Sequence, residues 1–371
     1  MAIPGPGVSL SLSDIQTEFG GVNPIAISEY YGVATGVPAS GTISISDFYG
    51  TSSGFPPVSL GYFFGGDIPG PSTASRDIYK IVYNTDTLST LPSNLPTSAA
   101  SQSGVVQDTS NSYIGGGANA SVTFDGVTNN IIKFQFSNET ASDFPANLPG
   151  SSRGGIMGVS SQSNGYWCGG NNFPNYFTTV SRIQFSNTTI STLPNSLPQI
   201  QSNGAPLSTT STGYLVEGQV QPPTYSPSIL KLNYSNETFN TSIGTTPILA
   251  MQSFNGAFTD RSNGNGYFYG GFKGIPNVPG PSFYSNTVEK IVFSTDTMSL
   301  LPVTTPIGQR SAAGNFSDSA GYISGGLFAD GCTVQKFVFS TETFTSPLGG
   351  FNGPPSSPSS SDRTDQGPTQ V

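Results

Sequence analysis

Histidine is absent from this chain of 371 residues. That absence removes the commonest general base, the imidazole metal sites and the Ser-His triads, so no enzymatic activity and no cofactor are expected. Charge is scarce as well: Lys, Arg, Asp and Glu make up 9% of residues, with a formal net charge of −9. Phosphate binding needs clustered Lys and Arg, and only 12 are present, so a nucleic-acid partner is not expected. Cys168 and Cys332 are too few for a disulfide framework and read as two free thiols. No apolar run approaches the roughly eighteen residues of a membrane span. The opening MAIPGPGVSL lacks a basic n-region and an apolar h-region, so neither membrane insertion nor a secretory leader is expected.

What remains is rich in turn formers and aromatics. The 46 Gly and 30 Pro supply turns, and the 25 Phe and 16 Tyr supply a core that a disordered chain would lack. The reading is a folded, all-β protein.

Its main body repeats. A tyrosine, two apolar or small residues and usually paired glycines recur as YFFGG at Tyr62, YIGGG at Tyr113, YWCGG at Tyr166, YLVEG at Tyr214, YFYGG at Tyr267 and YISGG at Tyr322, at intervals of 51, 53, 48, 53 and 55 residues. Each is followed by a strand reading basic, apolar, variable, aromatic: KIVY, KFQF, RIQF, KLNY, KIVF and KFVF. Its period of two turns residues such as Ile81 and Tyr83 towards one face, against the neighbouring blade. A hairpin then carries Asp86, Glu139, Glu237, Asp296 or Glu342 in five of the six copies, and Thr188 in the third. A period near fifty with strand-like runs and Gly-marked turns predicts a six-bladed β-propeller. The basic residues Lys80, Lys133, Arg182, Lys231, Lys290 and Lys336 could form a ring for an anionic ligand. The acids at fixed spacing favour instead a structural role, each head meeting the acid of its own or an adjacent hairpin.

The aromatic-then-Gly-Gly strand end and the tyrosine followed by x-x-[DE]-T resemble the kelch family of propellers across residues 61–371. The resemblance implies four-stranded blades around a channel. The tryptophan that the family carries in its fourth strand is missing from every copy, which makes the chain a divergent, kelch-like member. Some kelch-type propellers are copper oxidases, but that chemistry requires histidine. The Asp-box of sialidases occupies the same hairpin, yet turns such as STDTMSLL lack its Gly and Trp. Asn119, Asn138, Asn187 and Asn236 match the glycan-acceptor pattern and read as polar residues at strand ends.

Blade one lacks an inner strand of its own, because TSSGFPPVSL places two prolines where a ladder needs donors. Residues near 362–371 are expected to supply it. There Arg363 and Gly367 have the spacing of Arg310 and Gly314, and GPPSSPSSS serves as the linker.

Residues 1–50 differ in kind. LSLSDIQTEFGG, IAISEYYG and ISISDFYG read as strand, helical turn and stop, with Ser13 and Gln16 as a capping box and Gly20 as a stop. Fifty residues bury little core, so the module is expected to dock on a partner through Leu10, Leu12, Ile25, Ile27, Ile43 and Ile45. Residues 51–60 read as a linker and 61–371 as the propeller. The segment SLSDIQTEFGGVNPIAISEYYG with GTISISDFYG is similar to N-terminal modules of virion structural proteins of tailed phages of marine bacteria, cyanophages in particular. That resemblance implies a virion protein assembled in the host cytoplasm. It would be attached to other virion proteins through residues 1–50, with a tail-fibre or baseplate propeller facing a host-surface receptor or glycan, and with homo-oligomers allowed. A capsid-decorating or vertex protein is the alternative, and a polysaccharide depolymerase a second one.

Overall fold

A computed structural model divides the chain into two compact units, Met1–Val58 and Ser59–Val371. It describes residues 7–19, 26–31, 37–38, 40–49, 60–68, 73–96, 102–117, 126–216, 218–221, 224–225, 228–240, 256–273, 283–306, 310–327, 333–345, 347–349 and 369–370.

The second unit is a six-bladed β-propeller, each blade a four-stranded antiparallel sheet. The repeated tyrosine lies on the second strand of its blade and stands opposite the repeated basic residue of the third. Tyr62 faces Lys80, Tyr113 faces Lys133, Tyr166 faces Arg182, Tyr214 faces Lys231, Tyr267 faces Lys290 and Tyr322 faces Lys336. One register thus serves all six blades, and it places both side chains on one sheet face as a cross-strand pair.

Inner strands of blades two to six run Gly104–Gln107, Met157–Ser160, Ala205–Ser208, Gly256–Asp260 and Arg310–Phe316. Two of them carry a glycine where neighbouring backbones nearly touch. A Cβ on Gly158 would lie 2.2 Å from the Val105 carbonyl oxygen, and one on Gly314 would lie 1.9 Å from that of Ala257. The inner strand of blade one is Thr369–Gln370, with Thr369 opposite Tyr62 and Gln370 opposite Gly61. Arg363 and Gly367 lie outside the described residues. A further link across the same seam runs from Asn315 Nδ2 to the Tyr62 carbonyl, at 2.9 Å.

Apolar residues fill the gaps between blades. Tyr62, Phe64 and Ile78 of blade one pack with Ile114, Phe134 and Phe136 of blade two. The single tryptophan, Trp167, is fully buried in the second strand of blade three and donates from Nε1 to the Gly104 carbonyl of blade two at 2.9 Å. It fits because blade two presents glycine there; a Cβ on Gly115 would come 2.6 Å from Trp167 Nε1. Cys168 beside it is buried and free, its thiol pushed up to about 12 by burial. Cys332 lies outside the described residues.

The first unit contains a helix, Leu12–Phe19, and two single-turn 3-10 helices, Ile27–Tyr30 and Ile45–Phe48. The expected short strands are not found among its described residues. Ala26 and Ser44 have extended backbones, but they serve as N-caps rather than ladder members. The capping box also sits two residues earlier than Ser13 and Gln16. With the helix starting at Leu12, the cap is Ser11, whose hydroxyl and backbone N–H donate to Asp14 Oδ2 at 2.6 and 2.8 Å, and these two hydrogen bonds, the hydroxyl's first, lower the Asp14 pKa. Ser44 and Asp47 repeat this arrangement, with Ser44 N donating to Asp47 Oδ2 at 2.8 Å. The residue after the acid turns inward each time, so Ile15, Tyr30 and Phe48, with Val37, make the core. Tyr30 and Phe48 meet edge to face at 6.0 Å.

Candidate functional site

Antiparallel blades give the propeller two unlike faces. Turns from inner to second strand and from third to outer strand emerge on one; loops from second to third strand and crossovers to the next blade emerge on the other.

On the first face the acidic hairpins lock the blades together. In five of the six blades the repeated basic residue reaches the acid of the following blade; Lys133, which faces a blade with Thr188 in that place, is the exception. Lys80 pairs with Glu139, Arg182 with Glu237 at 2.9 Å, Lys231 with Asp296 at 2.8 Å, Lys290 with Glu342 at 2.6 Å, and Lys336 with Asp86 at 2.7 Å across the ring's closure. The tyrosine hydroxyl of the same blade donates to the same carboxylate, as Tyr62 does to Glu139 at 2.9 Å and Tyr322 to Asp86 at 2.9 Å. Its ring stacks on the aromatic that ends the next blade's third strand, at 4.7–5.9 Å in all six seams. Burial, then the adjoining carboxylate, raises the pKa of Tyr62, Tyr166, Tyr267 and Tyr322.

The acids occupy left-handed backbone positions, φ 51–55°, and Thr188 takes the same conformation at φ 56°. Flanking residues bridge this kink. Asn138 Oδ1 accepts from Thr140 N at 3.2 Å, Asn187 Oδ1 from Thr189 N at 3.0 Å and Asn236 Oδ1 from Thr238 N at 3.2 Å. Three of the glycan-acceptor matches are therefore hairpin residues. Asn119 lies outside the described residues.

On the opposite face the loop between second and third strands grows into a further small hairpin in blades one, three, four and five. Blade three shows it most fully: Asn171 pairs with Tyr176 and Asn172 with Asn175, with Phe173 and Pro174 at the tip across a cis peptide. Phe173 is 58% exposed. Asn172, Asn175 and Tyr176 are exposed or half-buried beside it. The hairpin is held at its root, where Asn171 exchanges two backbone hydrogen bonds with Gly154, both 2.8 Å, and Gly170 N donates to the Gln201 carbonyl at 3.1 Å. The paired glycines are required there: Gly169 has φ 64°, and a Cβ on it would lie 2.1 Å from that carbonyl oxygen. Beneath, Arg153 is buried and donates from Nη2 to Ser181 Oγ at 2.7 Å. Burial lowers its pKa to about 10. An aromatic ring between two amides on a fixed hairpin suits stacking and hydrogen bonding to a polar ring. Pattern reading did not find Phe173, whose only signal is an apolar residue before proline inside an otherwise polar loop.

In the first unit, Leu10, Leu12, Ile27 and Ile43 are half-buried against the module's own core, and Ile45 is 36% exposed. Ile25 lies outside the described residues. Among the described residues no group of three or more His, Cys, Asp and Glu could hold a metal, and no helix is long and apolar enough to cross a membrane.

Neither a family model nor a curated protein matches this sequence. Among solved structures, the one titled "Structure of YjhT" is similar with a TM-score of 0.62 at 13% identity, over 78% of this chain and 99% of that one. At that identity the likeness shows the fold alone, a six-bladed β-propeller.

Proposed function

We propose that the chain is a structural component of a tailed-phage virion, fastened through residues 1–50 and displaying the propeller on a tail fibre or baseplate appendage to bind a host surface saccharide. The observation that carries the binding half is Phe173, a large ring held in solvent at a hairpin tip between Asn172 and Asn175. A large aromatic with more than half of its surface in solvent, carried on a hairpin, suits stacking on a sugar ring. The fastening half is supported by the thrice-repeated motif and by the small core among the first unit's described residues, Ile15, Tyr30, Val37 and Phe48. A core of that size gains from being covered by a partner.

The expected result is that purified protein adsorbs to host cells and is displaced by host surface polysaccharide, and that Phe173→Ala reduces adsorption at least tenfold without moving the melting temperature. Wild-type adsorption by Phe173→Ala would remove blade three from the binding face. Release of oligosaccharide from that polysaccharide would replace binding with depolymerase activity.

A further inference from the structure

The ring of blade contacts is incomplete at one seam. Five times a carboxylate lies between a basic side chain and a tyrosine hydroxyl of the preceding blade. Between blades two and three the surroundings are unchanged: Tyr113 faces Lys133 across the sheet, Tyr113 stacks on Phe185 at 5.9 Å and 17°, and the hairpin has the same left-handed residue. That residue is Thr188, so the carboxylate is missing, and among the described residues Lys133 makes no ion pair. We propose that this seam binds a carboxylate supplied from outside the chain, held by Lys133 and the Tyr113 hydroxyl as the other five are held.

Access follows from the filled seams, whose carboxylate side chains keep 23–34% of their surface in solvent. Thr188 is shorter than Glu and donates its hydroxyl to the Asn187 carbonyl at 2.8 Å, and Lys133 is half-buried. One acid lies nearby: Asp108 Oδ2 is 3.4 Å from the Tyr113 hydroxyl. That contact is long for an O–H···O hydrogen bond, so the Tyr113 hydroxyl can turn from it to a closer acceptor; in blade five, where the charge of Asp260 is felt by Tyr267, the Tyr267 hydroxyl donates to Glu342 at 2.9 Å. Asp108 is also engaged in its own turn, accepting from Ser110 N at 2.6 Å and Asn111 N at 2.7 Å. The site lies on the face opposite Phe173, so it is independent of the saccharide contact proposed above. A single ion pair with one hydroxyl must offset the entropy of capturing a free ligand, which sets the expected affinity in the millimolar range.

Calorimetric titration with acetate, glucuronate and glucose tests this on the full chain. Wild type should bind the two carboxylates, less tightly as salt rises, and not glucose. Equal affinity for both identifies a general carboxylate site, and tighter glucuronate a site for sugar acids. Lys133→Met should lose the binding at least tenfold while Lys290→Met retains it. Thr188→Glu should abolish binding and melt higher than wild type, since its own carboxylate fills the seam. Equal binding of glucose, no saturable binding by wild type, or undiminished acetate binding by Thr188→Glu would overturn the proposal.

Discussion

The buried tyrosines set a limit on alkaline stability. Tyr62, Tyr113, Tyr166, Tyr267 and Tyr322 have hydroxyl pKa values raised above the ordinary 10, first by burial. Between the unfolded and the folded pKa the unfolded chain has lost protons that the folded chain keeps, so stability falls as pH rises. Their contribution is fully present below about pH 10. The melting temperature should therefore hold through mild alkali and fall beyond it, with the buried share of tyrosinate absorbance appearing together with unfolding. Tyrosinate from these residues in a still-folded chain would contradict the burial. At the same scale, Gly115→Ala places a methyl 2.6 Å from Trp167 Nε1. Overpacking of that kind should destabilise by about 1–3 kcal/mol in a denaturant titration.

At the scale of strands and hairpins, the ion pairs between blades contribute less than their regularity suggests. Lys290 and Glu342 keep 21% and 34% of their side-chain surface in solvent. A double-mutant cycle with Lys290→Met and Glu342→Gln should give a coupling below about 1 kcal/mol, because water screens the pair. The stacked Tyr267 and Phe339 beneath, at 5.7 Å, hold the seam by burial, so Phe339→Ala should cost about 3–5 kcal/mol. These elements were legible in the sequence because their signals are local and repeated. The tyrosine, the basic residue and the acid recur at set spacing, and one register uses them all. Which blade each acid serves was not legible, since Lys336 and Asp86 are 250 residues apart and meet only through ring closure. The first unit's cap was misplaced for a related reason. The motif offers Ser11 and Ser13 as rival caps, and the start of the helix at Leu12 decides between them.

For the whole molecule, closure depends on the chain's far end. Thr369–Gln370 completes blade one, and removing residues 361–371 would expose the inner edge of the Leu60–Phe64 strand. The shortened chain should melt well below the full one or aggregate; an unchanged melt would make the strand dispensable. The fold was legible here because blade one lacked an inner strand and its sequence supplied two prolines in its place. The proposed saccharide contact was not legible: a loop tip such as Phe173 occurs once and has no repeat to mark it. The proposed role joins both units, and one measurement tests it most directly. Particles assembled with the full chain and with a chain beginning at Thr51 are purified and their protein content determined by quantitative mass spectrometry. The account predicts the full chain in stoichiometric amounts on the tail and the shortened propeller, folded by circular dichroism, missing from the particles. Incorporation of the shortened chain at normal levels, or absence of both, would contradict it.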